Sequence, residues 1–325
     1  MTSAHTAATA KAPVRDPRYL ALRNFAVSIS VFNILGYAVL GFEQPWLWPI
    51  LAVLTGYATE LALEVVSAWS QRRGARFLGA GPRGFIVFLL PSHITALAVN
   101  MLLYVNNQVS AMLFAVFVGV AGKHVLQAPV AGRMRHYMNP SNFGIVVALL
   151  CFSRWISIAP PYEFTENANT LFRVFVPLVL VTSGTVINGV LTKRIPLILG
   201  WVGGFVIQAF LRHWIWHVAL MGALGPMTGV AFALYTNYMI TDPGTTPVKA
   251  RNQFMFGSSV AVAYGVLMLC NVVYTLFFAT VVVCGLRGAG LWGIHLVRRA
   301  QSRRAGSRAP DAPVGERPGS EAVAA

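Results

Sequence analysis

Long apolar runs alternate with short polar breaks along most of the chain, and the runs approach the roughly 20 residues that a helix needs to cross a bilayer. The pattern predicts spans over residues 25–41, 47–68 and 85–104, with a shorter fourth that ends near Gly122. It continues with spans over residues 143–158 and 171–191, a seventh that ends at Phe210, and an eighth over residues 214–235. Residues 254–286 are too long for one span and are split near Cys270 and Asn271 into a ninth and a tenth. Two polar breaks stand out. The stretch Tyr238 to Val248 carries Asp242, Gly244, Pro243 and Pro247, which together remove backbone donors and admit loop conformations. The stretch from Asn139 through Pro140, Ser141, Asn142 and Phe143 to Gly144 opens the fifth apolar run in a similar way. The eighth run is itself interrupted by Gly222, Gly225, Pro226 and Gly229, as in a broken or re-entrant helix, which a bilayer admits only where it faces protein or a cavity.

Composition agrees with this reading. Hydrophobic residues make up 56% of the 325-residue chain, charged residues only 11%, and mean hydropathy is +0.62. Soluble domains hold about 25% charged residues, so the chain reads as an all-α integral membrane protein of about ten spans in the plasma (inner) membrane. Residues 1–18 lack the apolar core of a secretory signal and read as a disordered arm, residues 19–297 as the membrane domain, and residues 298–325 as a disordered basic tail.

The net charge of +15 does not point to nucleic acid, because the basic residues sit between apolar runs and in the ends of the chain. With both ends cytoplasmic, all but Arg154, Arg173 and Arg212 of the 25 Lys and Arg residues fall on the inner side. That asymmetry orients the chain and places both polar breaks at the cytoplasmic face. The three cysteines lie in apolar runs without paired spacing and read as packing residues.

Several side chains carry candidate chemistry. Glu60 and Glu64 lie one helical turn apart; Glu60 reads either as an ion-coupling carboxylate or as the partner of a polar group on a neighbouring span, and Glu64 as a side chain that snorkels to the inner interface. His93 reads as a cross-helix hydrogen-bonding residue, and His213 and His217, with Trp214 and Trp216, as part of an interfacial aromatic belt rather than a haem or metal pair. Lys123, Lys249 and Arg251 are open to two readings, grip on a phosphate or ordinary inner-face charge. Asp242 is expected to accept hydrogen bonds from backbone or Asn side chains and so to hold the two breaks together. Nothing resembles a nucleotide-binding glycine loop, a zinc spacing or a nucleophile elbow, so the chain shows no self-contained catalytic site.

Gly122-Lys123-His124, the Asn139 to Gly144 break and the glycine-rich approach to Thr241-Asp242-Pro243-Gly244-Thr245-Thr246-Pro247 together resemble the NqrB/RnfD family of membrane electron-transport subunits. Within it, Gly41 to Pro45 and Leu191 to Leu197 are similar to the RnfD-like, UnbU-like branch associated with enediyne biosynthesis. The resemblance implies an electron-transfer or redox-coupled transport component with redox partner proteins, and FMN or riboflavin bound without a covalent link. Its site would include Lys123, Asn139, Asn142, Ser183, Thr185, Thr241, Asp242, Thr245 and Thr246, with Glu60 and Asp242 as ion-coupling residues. Thr182-Ser183-Gly184-Thr185 departs by one residue from the family's flavin-bearing Ser-Gly-Ala-Thr element. Its small residues read first as a helix-packing site, with noncovalent flavin contact and covalent attachment as the other readings. The alternative function is a cofactor-free transporter or exporter of a small or lipophilic solute.

Overall fold

The computed structural model describes residues 17–306, apart from residues 131, 161–163, 165, 166 and 168. Among them lie α1 (Pro17–Leu35), α2 (Leu47–Ser70), α3 (Gly81–Leu102), α4 (Val109–Val125), α5 (Pro140–Cys151) and α6 (Thr170–Val186). The chain continues with α7 (Ile195–Trp216), α8 (Leu220–Leu224), α9 (Val230–Leu234), α10 (Ala250–Leu269) and α11 (Thr275–Gly306). Two short antiparallel ladders are the described strand pairs: β1 (Leu103–Tyr104) with β4 (Ser157–Ile158), and the hairpin of β2 (Gln127–Val130) and β3 (Arg133–His136). The first ties the α3–α4 turn to the chain after α5, so these connections share one face of the molecule. The hairpin lies at the other face, because it joins the far ends of α4 and α5.

Seven segments are long and apolar enough to cross a membrane: Tyr19–Leu40, Leu47–Ser70, Gly81–Leu102, Thr170–Leu191, Ile195–Trp216, Ala250–Leu269 and Thr275–Ser302. α4 and α5 are apolar but shorter, and α8 and α9 are two five-residue helices joined by a tighter turn at Gly225–Thr228. The distribution of polarity is that of a protein solvated by hydrocarbon. Leu150, Val190, Leu199 and Val262 point outward, whereas Asn33, Asn100, Asn142, Asn188, Glu60 and Glu64 are buried. The buried amides pair across helices: Asn100 donates to Asn33 at 3.0 Å, and Asn188 donates to the Asn237 carbonyl at 2.7 Å. His93 bridges α1 and α2, with Nε2 2.8 Å from Ser30 Oγ and Nδ1 2.9 Å from the Tyr57 hydroxyl, in the cross-helix role its position predicts.

Glycines let the tightest pairs approach. A Cβ at Gly200 would stand 2.2 Å from the Phe254 carbonyl oxygen and one at Gly257 2.2 Å from that of Leu197, so α7 and α10 meet backbone to backbone. α4 and α5 do the same at Gly144, where a Cβ would stand 2.1 Å from the Ala115 carbonyl oxygen.

The structure corrects several boundaries. α7 runs through Trp214 to Trp216 and ends on His217, whose φ of 54° is left-handed; the expected start of an eighth span at residue 214 therefore belongs to α7. α5 stops at Cys151, well short of residue 158. Residues 17 and 18 are helical and α11 continues to Gly306, whereas the rest of the expected arm and tail, residues 1–16 and 307–325, lies outside the described residues. The split of residues 254–286 holds, with α10 ending at Leu269 and α11 starting at Thr275. Three turns are wider than α-helical, at Gly36–Leu40, Ile187–Leu191 and Tyr235–Met239, and the last takes in Tyr238 and Met239 from the break that the sequence read as loop throughout.

Candidate functional site

The interrupted α8–α9 segment organises the site. α8 leads into a tighter turn at Gly225–Thr228, Gly229 adopts an extended conformation, α9 follows, and the wide turn Tyr235–Met239 delivers the chain to the loop at Asp242. Widened turns free backbone groups that side chains then satisfy. Thr241 Oγ1 donates to the Asn237 carbonyl at 2.7 Å, and Asn139 Nδ2 donates to the Met239 carbonyl at 2.9 Å.

Asp242 closes the loop on itself. Its carboxylate accepts from the Gly244 amide and from Thr245 Oγ1, both at 3.0 Å, and its carbonyl accepts from Thr246 Oγ1 at 2.7 Å. The expected backbone donor is present. The expected Asn donor is not: Asn139 reaches the Met239 carbonyl instead, while its Oδ1 caps α5 by accepting from the Asn142 amide at 3.0 Å. Two guanidinium groups clamp the loop from outside. Arg194 donates to the carbonyls of Pro247 and Pro243, and Arg287 donates to the Thr245 carbonyl at 2.5 Å. His136, at the end of β3, packs against Gly244, where a Cβ would stand 2.5 Å from its Nε2. Burial holds the His136 imidazole below its ordinary range; Asp242 pulls the other way, and Lys123, Arg135 and His124 add to the depression.

The sequence missed His136, Arg194 and Arg287. Arg287 carried a usable signal, since an arginine within an apolar run is a functional candidate by default. Arg194 and His136 sit in basic stretches where topology already accounts for positive charge.

Glu60 and Glu64 occupy different settings. Glu60 lies about 20 Å along α2 and meets the last turn of α4, with Lys123 Nζ 2.5 Å and His124 Nε2 3.4 Å from its carboxylate oxygens. It thus has the partner on a neighbouring helix that one of its two readings required. Glu64 does not snorkel. It is fully buried and accepts from Arg73 Nη1 at 2.5 Å and from the Arg76 amide and Nε at 2.9 Å, so the basic loop folds back over it. The arginines move to the carboxylate because an unpaired charge costs more at that depth than two partly exposed guanidiniums cost to fold inward.

The nine residues assigned to flavin do not form one pocket. Thr185 is exposed on α6. Ser183 is bonded within its helix and to the Tyr238 hydroxyl at 2.7 Å. Gly184 seats Asn237, which stands 2.4 Å from where a Cβ would be, so this element serves helix packing. Lys123 is held by Glu60, and Asn139, Thr241, Asp242, Thr245 and Thr246 are spent on the loop's own hydrogen bonds. Asn142 donates to the Phe277 carbonyl at 2.9 Å and leaves a buried Oδ1 without a partner. Among these residues the one cation, Lys123, is engaged by Glu60, and Thr185 is exposed. No cluster of three or more His, Cys, Asp or Glu able to hold a metal occurs among the described residues.

The open space lies above the loop. A cavity of about 310 Å³ is lined by Leu102, Pro160, Pro226, Tyr235, Tyr264 and Tyr274, among others. Its lining also takes in Tyr274 of the α10–α11 turn and Ala159 and Pro160 of the chain after β4. Its floor includes Met239, whose carbonyl Asn139 holds. A second, smaller apolar groove of about 100 Å³ runs between α1, α6 and α9.

No protein-family model matches the chain, and no curated protein is significantly similar to it.

Proposed function

We propose that this protein is a multi-pass, RnfD-like membrane transport component that carries a small apolar or amphiphilic solute through the cavity beside its discontinuous helix. One observation carries the reading: a largely apolar cavity of about 310 Å³ is lined by Pro226, Ala231, Tyr235 and Met239 of the interrupted α8–α9 segment, just ahead of the Asp242 loop that its own threonines and two arginines close. Discontinuous helices with exposed backbone at a midplane site are the common device of secondary transporters. The resemblance to the enediyne-associated branch supports a lipophilic natural product or its precursor as the solute class. The Lys and Arg asymmetry supports a plasma-membrane chain with both ends and the Asp242 loop cytoplasmic, and α4, α5 and the broken α8–α9 segment complete a ten-crossing layout.

A second reading, electron transfer with a noncovalent flavin and redox partner proteins, is favoured by the intact Thr241 to Pro247 element and by the aromatic lining of the cavity, which suits a planar ring. The two separate on the purified protein. Transport predicts no flavin absorbance, no fluorescent band on a denaturing gel and photolabelling of the cavity by benzophenone, a neutral aromatic ketone. Adducts should map to residues 226–239 and 264–277 and be lost in Ala231→Trp, which fills the space. Adducts confined to lipid-facing helices such as α6 would overturn the transport reading, and copurifying flavin would favour the second.

A further inference from the structure

The Glu60 cluster is an ion pair with one member left over. Glu60 Oε2 takes Lys123 Nζ at 2.5 Å, which balances the carboxylate by itself. His124 Nε2 stands 3.4 Å from Glu60 Oε1, within reach of an ion pair, yet it is buried and forms no hydrogen bond with any protein group. Lys123 and His124 both occupy the last turn of α4, where the exposed carbonyls of the helix terminus favour positive charge. The other ionisable groups near it are Glu64 on α2, already held by Arg73 and Arg76, and Arg135 and His136 on β3, with Asp242 beyond them. Both side chains of the α4 pair keep 16% of their surface exposed, against 4% for Glu60.

A mechanical route joins this cluster to the cavity. α4 packs on α5 at Gly119 and Gly144, where backbone meets backbone. The residue that caps α5, Asn139, holds the carbonyl of Met239 in the cavity floor. These contacts form a continuous packed path from the α4 terminus to Met239, along which a shift of α4 would reach the cavity.

We propose that Glu60, Lys123 and His124 form a proton-binding site whose loading is coupled to solute occupancy of the cavity, which makes the protein a proton-coupled transporter. The site takes one proton from water. The new bond is His124 Nε2–H, which donates to Glu60 Oε1, and the triad passes from no net charge to one positive charge; release breaks the same bond and returns the proton to water. The coupling half of this inference rests on the transport reading, whereas the proton site stands apart from it.

The test has two arms. Potentiometric difference titration between the wild type and His124→Gln, from about pH 5 to 8, is expected to show about one extra proton bound by the wild type, and Glu60→Gln is expected to remove that uptake from the same interval. No difference, or an unchanged curve in Glu60→Gln, overturns the proton site. Benzophenone labelling of the cavity at the two ends of that interval is expected to differ about fivefold in the wild type and to be equal in His124→Gln. Equal labelling in the wild type overturns the coupling. Absence of cavity labelling at either pH overturns the transport reading and the coupling with it, while the titration still decides the site. Retained labelling in His124→Gln shows that the variant is folded.

Discussion

Glu64 and His136 illustrate how burial changes what an ionisable side chain does. Glu64, about two turns before the end of α2, organises the basic loop by drawing Arg73 and Arg76 over itself. Glu64→Gln should release that loop and lower stability by about 1–3 kcal/mol, since neutral acceptors replace charge-assisted ones and leave donors short. A detergent melt together with protease sensitivity at residues 71–80 measures it, and an unchanged loop would show that the arginines are held by something else. For His136 the sign follows from its depressed folded value. Above about pH 6.5 neither folded nor unfolded chain is protonated there, so the group contributes no pH dependence; as pH falls below that, the unfolded chain takes a proton that the folded chain resists, and stability declines. The melting temperature of wild type relative to His136→Gln should therefore drop between about pH 6.5 and 5. At this scale the sequence was partly legible. Glu60 and His93 announced themselves as polar residues in apolar runs, while Arg194 and His136 were hidden among charges that topology explains equally well.

Among the elements, the short and broken ones carry the site. The glycine and proline cluster at residues 222–229 announces a discontinuous helix, and the structure has one there. The three wide turns left no such signal, because a π-type turn needs only a local mismatch that neighbouring side chains can satisfy. Asn188 and Asn237 provide this at two of them. The early end of α5 was equally hidden: Phe152 and Ile156 are as apolar as the helix before them, and it is the pairing of β1 with β4 that turns the chain away. Asp242→Ala should unlock the loop between these elements by stranding the Gly244 amide and the Thr245 hydroxyl, at about 1–3 kcal/mol each. Gly144→Ala should be still less tolerated than an ordinary overpacked site, about 1–3 kcal/mol or more, because the added carbon meets the Ala115 carbonyl rather than a side chain that can yield. Thermal melts of both variants check this, and wild-type stability in Gly144→Ala would mean that α4 and α5 are free to move apart.

For the whole molecule, the alternation of apolar and polar stretches conveyed the membrane class and most of the helices. It conveyed less about length, since α4, α5 and the α8–α9 segment are shorter than the seven helices long and apolar enough to cross a membrane. In the proposed transporter, the cavity beside the interrupted α8–α9 segment is reached from one face and closed toward the other by the Asp242 loop. Side-specific cysteine labelling tests it most directly. In sealed vesicles of known orientation, with Cys151, Cys270 and Cys284 replaced, a cysteine at Ala231 should react with a membrane-impermeant maleimide from the extracellular side only. Thr246→Cys, within the loop, should be protected from that side. Labelling of residue 231 from the cytoplasmic side, or from neither side, would contradict the account.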